Sequence, residues 1–220
     1  VEGNGFENGQ SASYSNTKDA LLTINHTGKQ SNFGDGIHNH TKARFINTGE
    51  CRIEYTGDDG IYNEKDAFFL TKGQVPITNT GIKTTGNNGD SVINSHATYL
   101  NFGTINISAT GDKAIENVRS AILNHNDGNI FIENIGTSNK TNTPSNALLN
   151  TGQGSKFRNK ANIVISQMIC TTKLNFTGTL TVQQTHGFSF NPKQLSAGTY
   201  IVRLTNDNGA QQSTQNIYTN

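Results

Sequence analysis

Asn63-Glu64-Lys65-Asp66-Ala67-Phe68-Phe69-Leu70-Thr71-Lys72-Gly73-Gln74-Val75-Pro76-Ile77 is repeated in kind by Asn94-Ser95-His96-Ala97-Thr98-Tyr99-Leu100-Asn101-Phe102-Gly103-Thr104-Ile105-Asn106-Ile107. Each runs from Asn through a short polar spacer to Ala, then through an alternating apolar strand to Gly and a second alternating strand. Two further copies are Asn39 to Ala43 with Phe45, Gly49 and Ile53, and Asn117 to Ala121 with Leu123, Gly128, Ile130 and Ile132. Ala20 with Leu22 and Ile24 opens the series, and Ala147 with Leu149 continues it.

The Ala positions 20, 43, 67, 97, 121 and 147 lie 23, 24, 30, 24 and 26 residues apart, a period that suits one turn of a β-solenoid. The expected fold is therefore all-β: a right-handed parallel β-helix of about six coils. The expected division is an N-terminal cap or arm over 1–19, solenoid repeats over 20–170 and a small C-terminal β module or cap over 171–220. The longer third gap and the Thr137 to Ser145 stretch read as protruding loops, because corners accept insertions while stacked strands keep register.

Composition points the same way. The chain has 220 residues, of which 32% are hydrophobic and 15% charged, with 23 Gly and no Trp. So little apolar material excludes a thick globular core but suffices for a thin one lined by short strands. The net charge of +1, with Lys and Arg scattered, lacks the basic footprint of a nucleic-acid binder. No run approaches the roughly 18 apolar residues of a membrane span. The chain opens at Val1, which suits a mature product whose export signal has been removed. Cys51 and Cys170 lie far apart and outside metal-ligand spacing. They read as buried or unpaired thiols, with a disulfide as the alternative that an oxidising compartment permits.

The approach to each Asn also repeats, as Gly34-Asp35-Gly36-Ile37-His38-Asn39, Thr56-Gly57-Asp58-Asp59-Gly60-Ile61-Tyr62-Asn63, Gly89-Asp90-Ser91-Val92-Ile93-Asn94 and Thr110-Gly111-Asp112-Lys113-Ala114-Ile115-Glu116-Asn117. Stacking would place like residues one above another at about 4.8 Å. Asn side chains would then form amide ladders, and Asp35, Asp58, Asp90 and Asp112 a carboxylate column. That column is the candidate metal site, with calcium as the cofactor it suits. The competing reading gives each Asp only a turn-stabilising role. Asp58 with Asp59 is the nearest approach to a glycosidase pair, but adjacent residues in one turn seldom flank a sugar. His38 and His40 share strand spacing without a third ligand and read as surface histidines. The chain carries no nucleophile elbow, phosphate loop or dinucleotide fingerprint.

In the last fifth or so of the chain, Leu195-Ser196-Ala197-Gly198-Thr199-Tyr200-Ile201-Val202-Arg203-Leu204 followed by Asn208-Gly209 resembles the second half of the C-terminal sorting domain of type IX secretion substrates. Of that domain's Pro-Asn-Pro-like entry, only Asn191-Pro192 stands here. The resemblance implies a compact β module and a bacterial cell-surface or released protein. Taken together, the sequence points to a non-enzymatic extracellular structural or adhesive solenoid that self-associates into a surface fibre, with glycan or cell-surface contact. The alternative, by analogy of fold, is a polysaccharide-binding or polysaccharide-degrading β-helix.

Overall fold

The computed structural model describes residues 3–28, 34–81, 89–135, 147–166, 179–183, 198–205 and 211–219. Each coil contributes one strand to each of three sheets. The first coil holds β1 (Phe6–Asn8), β2 (Ser13–Asn16) and β3 (Leu21–Asn25), and the second β4 (Ile37–Asn39), β5 (Arg44–Asn47) and β6 (Glu50–Thr56). The third and fourth hold β7 (Ile61–Glu64), β8 (Phe68–Thr71), β9 (Gln74–Thr80), β10 (Val92–Ser95), β11 (Thr98–Asn101) and β12 (Thr104–Thr110). The fifth and sixth hold β13 (Ile115–Val118), β14 (Ile122–His125), β15 (Asn129–Ile135), β16 (Leu148–Thr151), β17 (Lys156–Asn159) and β18 (Asn162–Ser166). Sheet A is ordered β1-β4-β7-β10-β13-β16 and sheet B β2-β5-β8-β11-β14-β17, all parallel. Sheet C begins with β3-β6-β9-β12-β15-β18 and continues through β19 (Thr179–Gln183), β20 (Gly198–Thr205) and β21 (Gln211–Thr219). The fold is the expected parallel β-helix of six coils. Residues 6–16 of the expected N-terminal cap supply β1 and β2, and the tail strands extend sheet C, with β20 and β21 as an antiparallel pair.

The core is a set of columns. Sheet A points Ile37, Ile61, Val92, Ile115 and Leu148 inward, and sheet C points Ile53, Ile77, Ile107, Ile132 and Ile165 inward, all buried. Sheet B supplies aromatic rings: Phe45 stacks on Phe69 at 4.7 Å and Phe69 on Tyr99 at 4.8 Å, nearly parallel. Stacking at the rung distance lets a thin core bury large side chains without voids. Cys51 is buried as a free thiol, and burial pushes its pKa up to about 12. Cys170 lies outside the described residues.

At the corner between sheets A and B runs a ladder of six asparagines. Asn8 donates to Asn39, Asn39 to Asn63, Asn63 to Asn94, Asn94 to Asn117 and Asn117 to Asn150, each Nδ2 to Oδ1 at 2.8 Å. The same amides also donate to the carbonyls that open the next strand of sheet B: Arg44, Phe68, Thr98, Ile122 and Lys156, at 2.9–3.2 Å. A second polar column at the corner between sheets B and C links Asn16 to Asn47 at 2.8 Å, Asn47 to Thr71 at 3.1 Å and Asn101 to His125 Nδ1 at 2.9 Å. His125 Nε2 lies 3.0 Å from the Asn162 carbonyl and donates to it, which leaves Nδ1 as acceptor; burial keeps this imidazole neutral, with its pKa lowered.

The alanine register needs two corrections. Ala43, Ala67, Ala97 and Ala121 stack just before sheet B, but the first-coil member of that column is Ala12, whose carbonyl accepts from Arg44 N–H as Ala43 accepts from Phe68. Ala20 instead precedes β3, in the column of Gly49, Gly73, Gly103 and Gly128. A Cβ on Gly73, Gly103 or Gly128 would strike the carbonyl of the glycine one coil before it, and a Cβ on Gly49 would strike that of Ala20. The first coil has no described rung beneath it, so Ala20 keeps its methyl. Ala147 precedes β16 and stacks with Gly60, Ser91 and Ala114.

With register restored, the ladder members are 31, 24, 31, 23 and 33 residues apart. The period alternates because coils one, three and five carry extra residues between sheet C and sheet A, at 29–33, 82–88 and 136–146, outside the described residues. The stretch 137–145, expected as a loop, lies within the third of these. Replacing Asn63 by Ala removes the donor to Asn94 and the acceptor for Asn39 inside the core. We expect a loss of roughly 2–4 kcal/mol in urea unfolding, and a smaller loss for Asn8→Ala at the end of the ladder.

Candidate functional site on the outer face of sheet A

Outward side chains of sheet A form two columns: Glu7, His38, Tyr62, Ile93, Glu116 and Leu149, then Glu64, Ser95, Val118 and Thr151. Beside them, at the corner from sheet C, lies an edge column made of Asn4, Asp35, Asp59, Asp90 and Lys113. Its register is fixed by backbone N–H groups that donate into the side chain one coil earlier: Asp35 N–H to Asn4 Oδ1 at 2.8 Å, Asp59 to Asp35 at 3.3 Å, Asp90 to Asp59 at 2.8 Å and Lys113 to Asp90 at 2.9 Å. Of the carboxylates expected to stack, Asp35 and Asp90 stand in this column. Asp58 and Asp112 stand one position earlier, in line with Gly34 and Gly89, where their backbone N–H groups donate to Gly34 and Gly89 carbonyls. A calcium ion on the column would have to compete with the backbone donors that already engage one oxygen each of Asp35, Asp59 and Asp90.

The missed member, Asp59, was legible by counting back two from the inward apolar residue: Asp35 precedes Ile37, Asp59 precedes Ile61 and Asp90 precedes Val92. Counting forward from the glycine selects Asp58. The corners between coils two and three and between coils four and five are each one residue out of step with that count, which is why it selects Asp58 and Asp112.

Burial raises Asp59 well above the ordinary carboxylate range, and the neighbouring charges of Asp90, Asp35 and Asp58 push it further. Asp90 is raised as well, chiefly by burial, although Lys113 opposes the shift. Lys113 Nζ sits 2.9 Å from Asp112, 3.5 Å from Asp90 and 3.8 Å from Glu116. Burial alone would lower its pKa, but Asp90, Asp112 and Glu116 outweigh that and hold the ammonium above its usual value. Asp58, Asp59, Tyr62, Asp90, Lys113, Glu116 and Arg119 line a cleft of about 580 Å³ along this face.

Further toward the N-terminal end, His38 Nδ1 lies 3.2 Å from Asp35 and its Nε2 3.7 Å from Glu64, while His40 Nδ1 lies 3.3 Å from Glu64. The two imidazole rings stack at 3.9 Å, and Tyr62 packs on His38 at 4.9 Å. Burial opposes the charging of His38, but Asp35 and Glu64 outweigh it and raise its pKa above the usual imidazole value. The third group that His38 and His40 lacked in the sequence is thus Glu64, one coil away. Comparison with protein-family models, with curated proteins and with solved structures finds no match for the chain.

The buried carboxylates set a pH dependence with a definite sign. A carboxyl whose pKa is raised on folding stabilises the fold fully below its unfolded value of about 4, and that contribution is lost as pH rises through the raised value. Asn4 already does the acceptor's work with a neutral amide. Asp59→Asn therefore leaves stability near pH 4 almost unchanged and adds about 1–3 kcal/mol at pH 8, read from urea unfolding at the two pH values.

Proposed function

We propose that the chain is a non-enzymatic, exported structural or adhesive β-solenoid that associates end to end, as the subunit of a bacterial surface fibre. The observation that carries this reading is the likeness of the two ends of the stacked columns. At the N-terminal rung the inward residues are Asn8, Tyr14 and Asn16; at the sixth coil they are Asn150, Phe157 and Asn159. Among the described residues β1 and β2 have no strand before them, and β16 and β17 none after them. In sheets A and B a second copy seated in register would continue the amide ladder from Asn150 to Asn8 and the aromatic column from Phe157 to Tyr14. In sheet C its β3 would take the place on β18 that β19 holds in the single chain, so association requires the tail strands to yield that edge. Such a heterologous contact does not close, and repetition yields a filament. The likeness of the tail to part of a type IX sorting domain supports export to the cell surface.

Register also supplies the test. Ser13 and Ser15 are exposed and head the outward columns that end in Lys156 and Arg158. In the proposed contact, Ser13→Lys with Ser15→Lys places like charges about 4.8 Å from those cations. Sedimentation and electron microscopy should show concentration-dependent rods for the parent, monomers for the Lys pair, and longer rods at low salt for Ser13→Glu with Ser15→Glu. Monomers for all three proteins at high concentration would overturn the reading.

The cleft on sheet A favours a second reading, a polysaccharide-binding solenoid, because Tyr62 offers a ring edge and Asp58, Glu116 and Arg119 offer polar contacts to hydroxyls. Neutral polysaccharide retained on immobilised protein, with retention lost in Arg119→Ala, is its expected outcome. Equal retention by the variant removes it.

A further inference from the structure

The cluster of His38, His40 and Glu64 has the donor set and the supporting bonds of a metal centre. Its three ligand atoms, one from each residue, all lie within 4.8 Å of one another. Two imidazole nitrogens with one carboxylate suit zinc and its neighbours in the first transition row, whereas calcium and magnesium prefer oxygen alone.

The tautomer of His38 follows from its partners. Asp35 Oδ2, which can only accept, faces Nδ1 at 3.2 Å. A lone pair on Nδ1 would oppose that carboxylate, so Nδ1 carries the proton and donates it. Asn4 Nδ2, one of whose two N–H groups donates to Glu7 Oε1 at 3.0 Å, also lies 3.3 Å from Nδ1, but the carboxylate charge of Asp35 outweighs this neutral donor in placing the proton. In the neutral ring the lone pair of His38 is therefore on Nε2, which is buried from solvent and has no hydrogen-bond partner. It faces Glu64 Oε2 at 3.7 Å, too far for a hydrogen bond. A ligand-bearing imidazole whose other nitrogen donates to a carboxylate is the arrangement that orients histidine toward a metal.

The spacing is close to that of a metal site. A tetrahedral ion with bonds near 2.0–2.1 Å holds its ligand atoms about 3.3–3.4 Å apart. His38 Nε2 lies 3.7 Å from Glu64 Oε2, and His40 Nδ1 lies 3.3 Å from the other oxygen, Oε1. Because the two rings stack face to face at 3.9 Å, binding would turn the more exposed His40 ring out of the stack to aim its lone pair at an ion held by His38 and one Glu64 oxygen. His38 Nε2 is itself buried, but the side chains of Glu64 and His40 remain 27% and 32% exposed, so an ion reaches the cluster from their side.

We propose that His38, His40 and Glu64 bind one divalent transition-metal ion of the zinc class, with Asp35 as the positioning residue behind His38. The ion ties β4 to β7, and so the second coil to the third, and its fourth position is open to water or to a ligand oxygen. The site does not depend on end-to-end association, and it uses none of the residues that line the cleft.

Isothermal titration of the full chain, free of any histidine tag, with zinc chloride at pH 8 should give one equivalent bound and a rise in melting temperature. Cobalt should give the visible absorption of a four-coordinate ion, abolished by added zinc. His40→Ala and Glu64→Gln should each weaken binding at least 100-fold, and Asp35→Asn about 10–100-fold with the stoichiometry kept. Melting in the presence of a chelator shows whether each variant is folded. His40 is the most exposed of the three ligands, so its variant decides the matter if Glu64→Gln does not fold. No saturable zinc binding by the parent, or undiminished binding by a folded His40→Ala, would overturn the proposal.

Discussion

A carboxamide buried at the corner between sheets A and B must find its partners inside the protein, because an unsatisfied buried donor or acceptor costs about 1–3 kcal/mol. A second carboxamide one rung away supplies both needs. Each interior Asn accepts from the rung before and donates to the rung after, and its remaining N–H reaches the carbonyl that opens sheet B. A slip of one residue in any coil would carry its Asn to the outer face and leave the neighbours above and below unpaired. The ladder therefore sets register for the whole rung. The residues that follow it, Ser11, Lys42, Asp66, His96 and Ser120, turn the chain toward sheet B with φ between 52° and 63°, and the aromatic column then stacks in step.

Register held at one corner leaves the others free to vary in length. The extra residues of coils one, three and five all fall between sheet C and sheet A, the corner opposite the aromatic column. The chain leaves and rejoins the rung at neighbouring points: a Cβ on Gly34 would collide with Gly28, and one on Gly81 with Gly89. Such close approach of two backbones is open to glycine alone. Because closure entropy grows slowly with length, a segment inserted between two touching glycines lengthens the coil without disturbing the strands. This explains how ladder spacings as different as 23 and 31 residues coexist with one unbroken set of bonds.

The sequence shows this fold through alternation and recurrence, and it misleads where different columns use the same residue. Ala43, Ala67, Ala97 and Ala121 stand in one column because a small residue is needed before sheet B. Ala20 and Ala147 are alanines for other reasons, one at the open end of the glycine column and one in the column of Ser91 and Ala114. Taking all six as equivalent smoothed the period to 23–30 residues and hid the alternation of long and short coils. Bonded partners, unlike residue type, distinguish the columns. The Asp column went astray for a related reason, since a corner of variable length keeps its register with the strand it enters and not with the glycine it leaves.

What stacking does for apolar and amide side chains it cannot do for charges. Like apolar groups at about 4.8 Å gain contact, and like amides gain hydrogen bonds, but like carboxylates repel and resist ionisation. The edge column of sheet A reflects this conflict: it passes from the neutral Asn4 through three aspartates to Lys113, and Asp59, in the middle, is raised by burial and by the carboxylates on either side. The outer face beside it resolves the same conflict by complementation, setting His38 and His40 of one rung against Tyr62 and Glu64 of the next. Chemistry on a solenoid is thus written between rungs, in residues 24 positions apart such as His40 and Glu64. A two-residue spacing of histidines read along one strand misses its third member for that reason, and only the register set by the asparagine ladder brings that member into place.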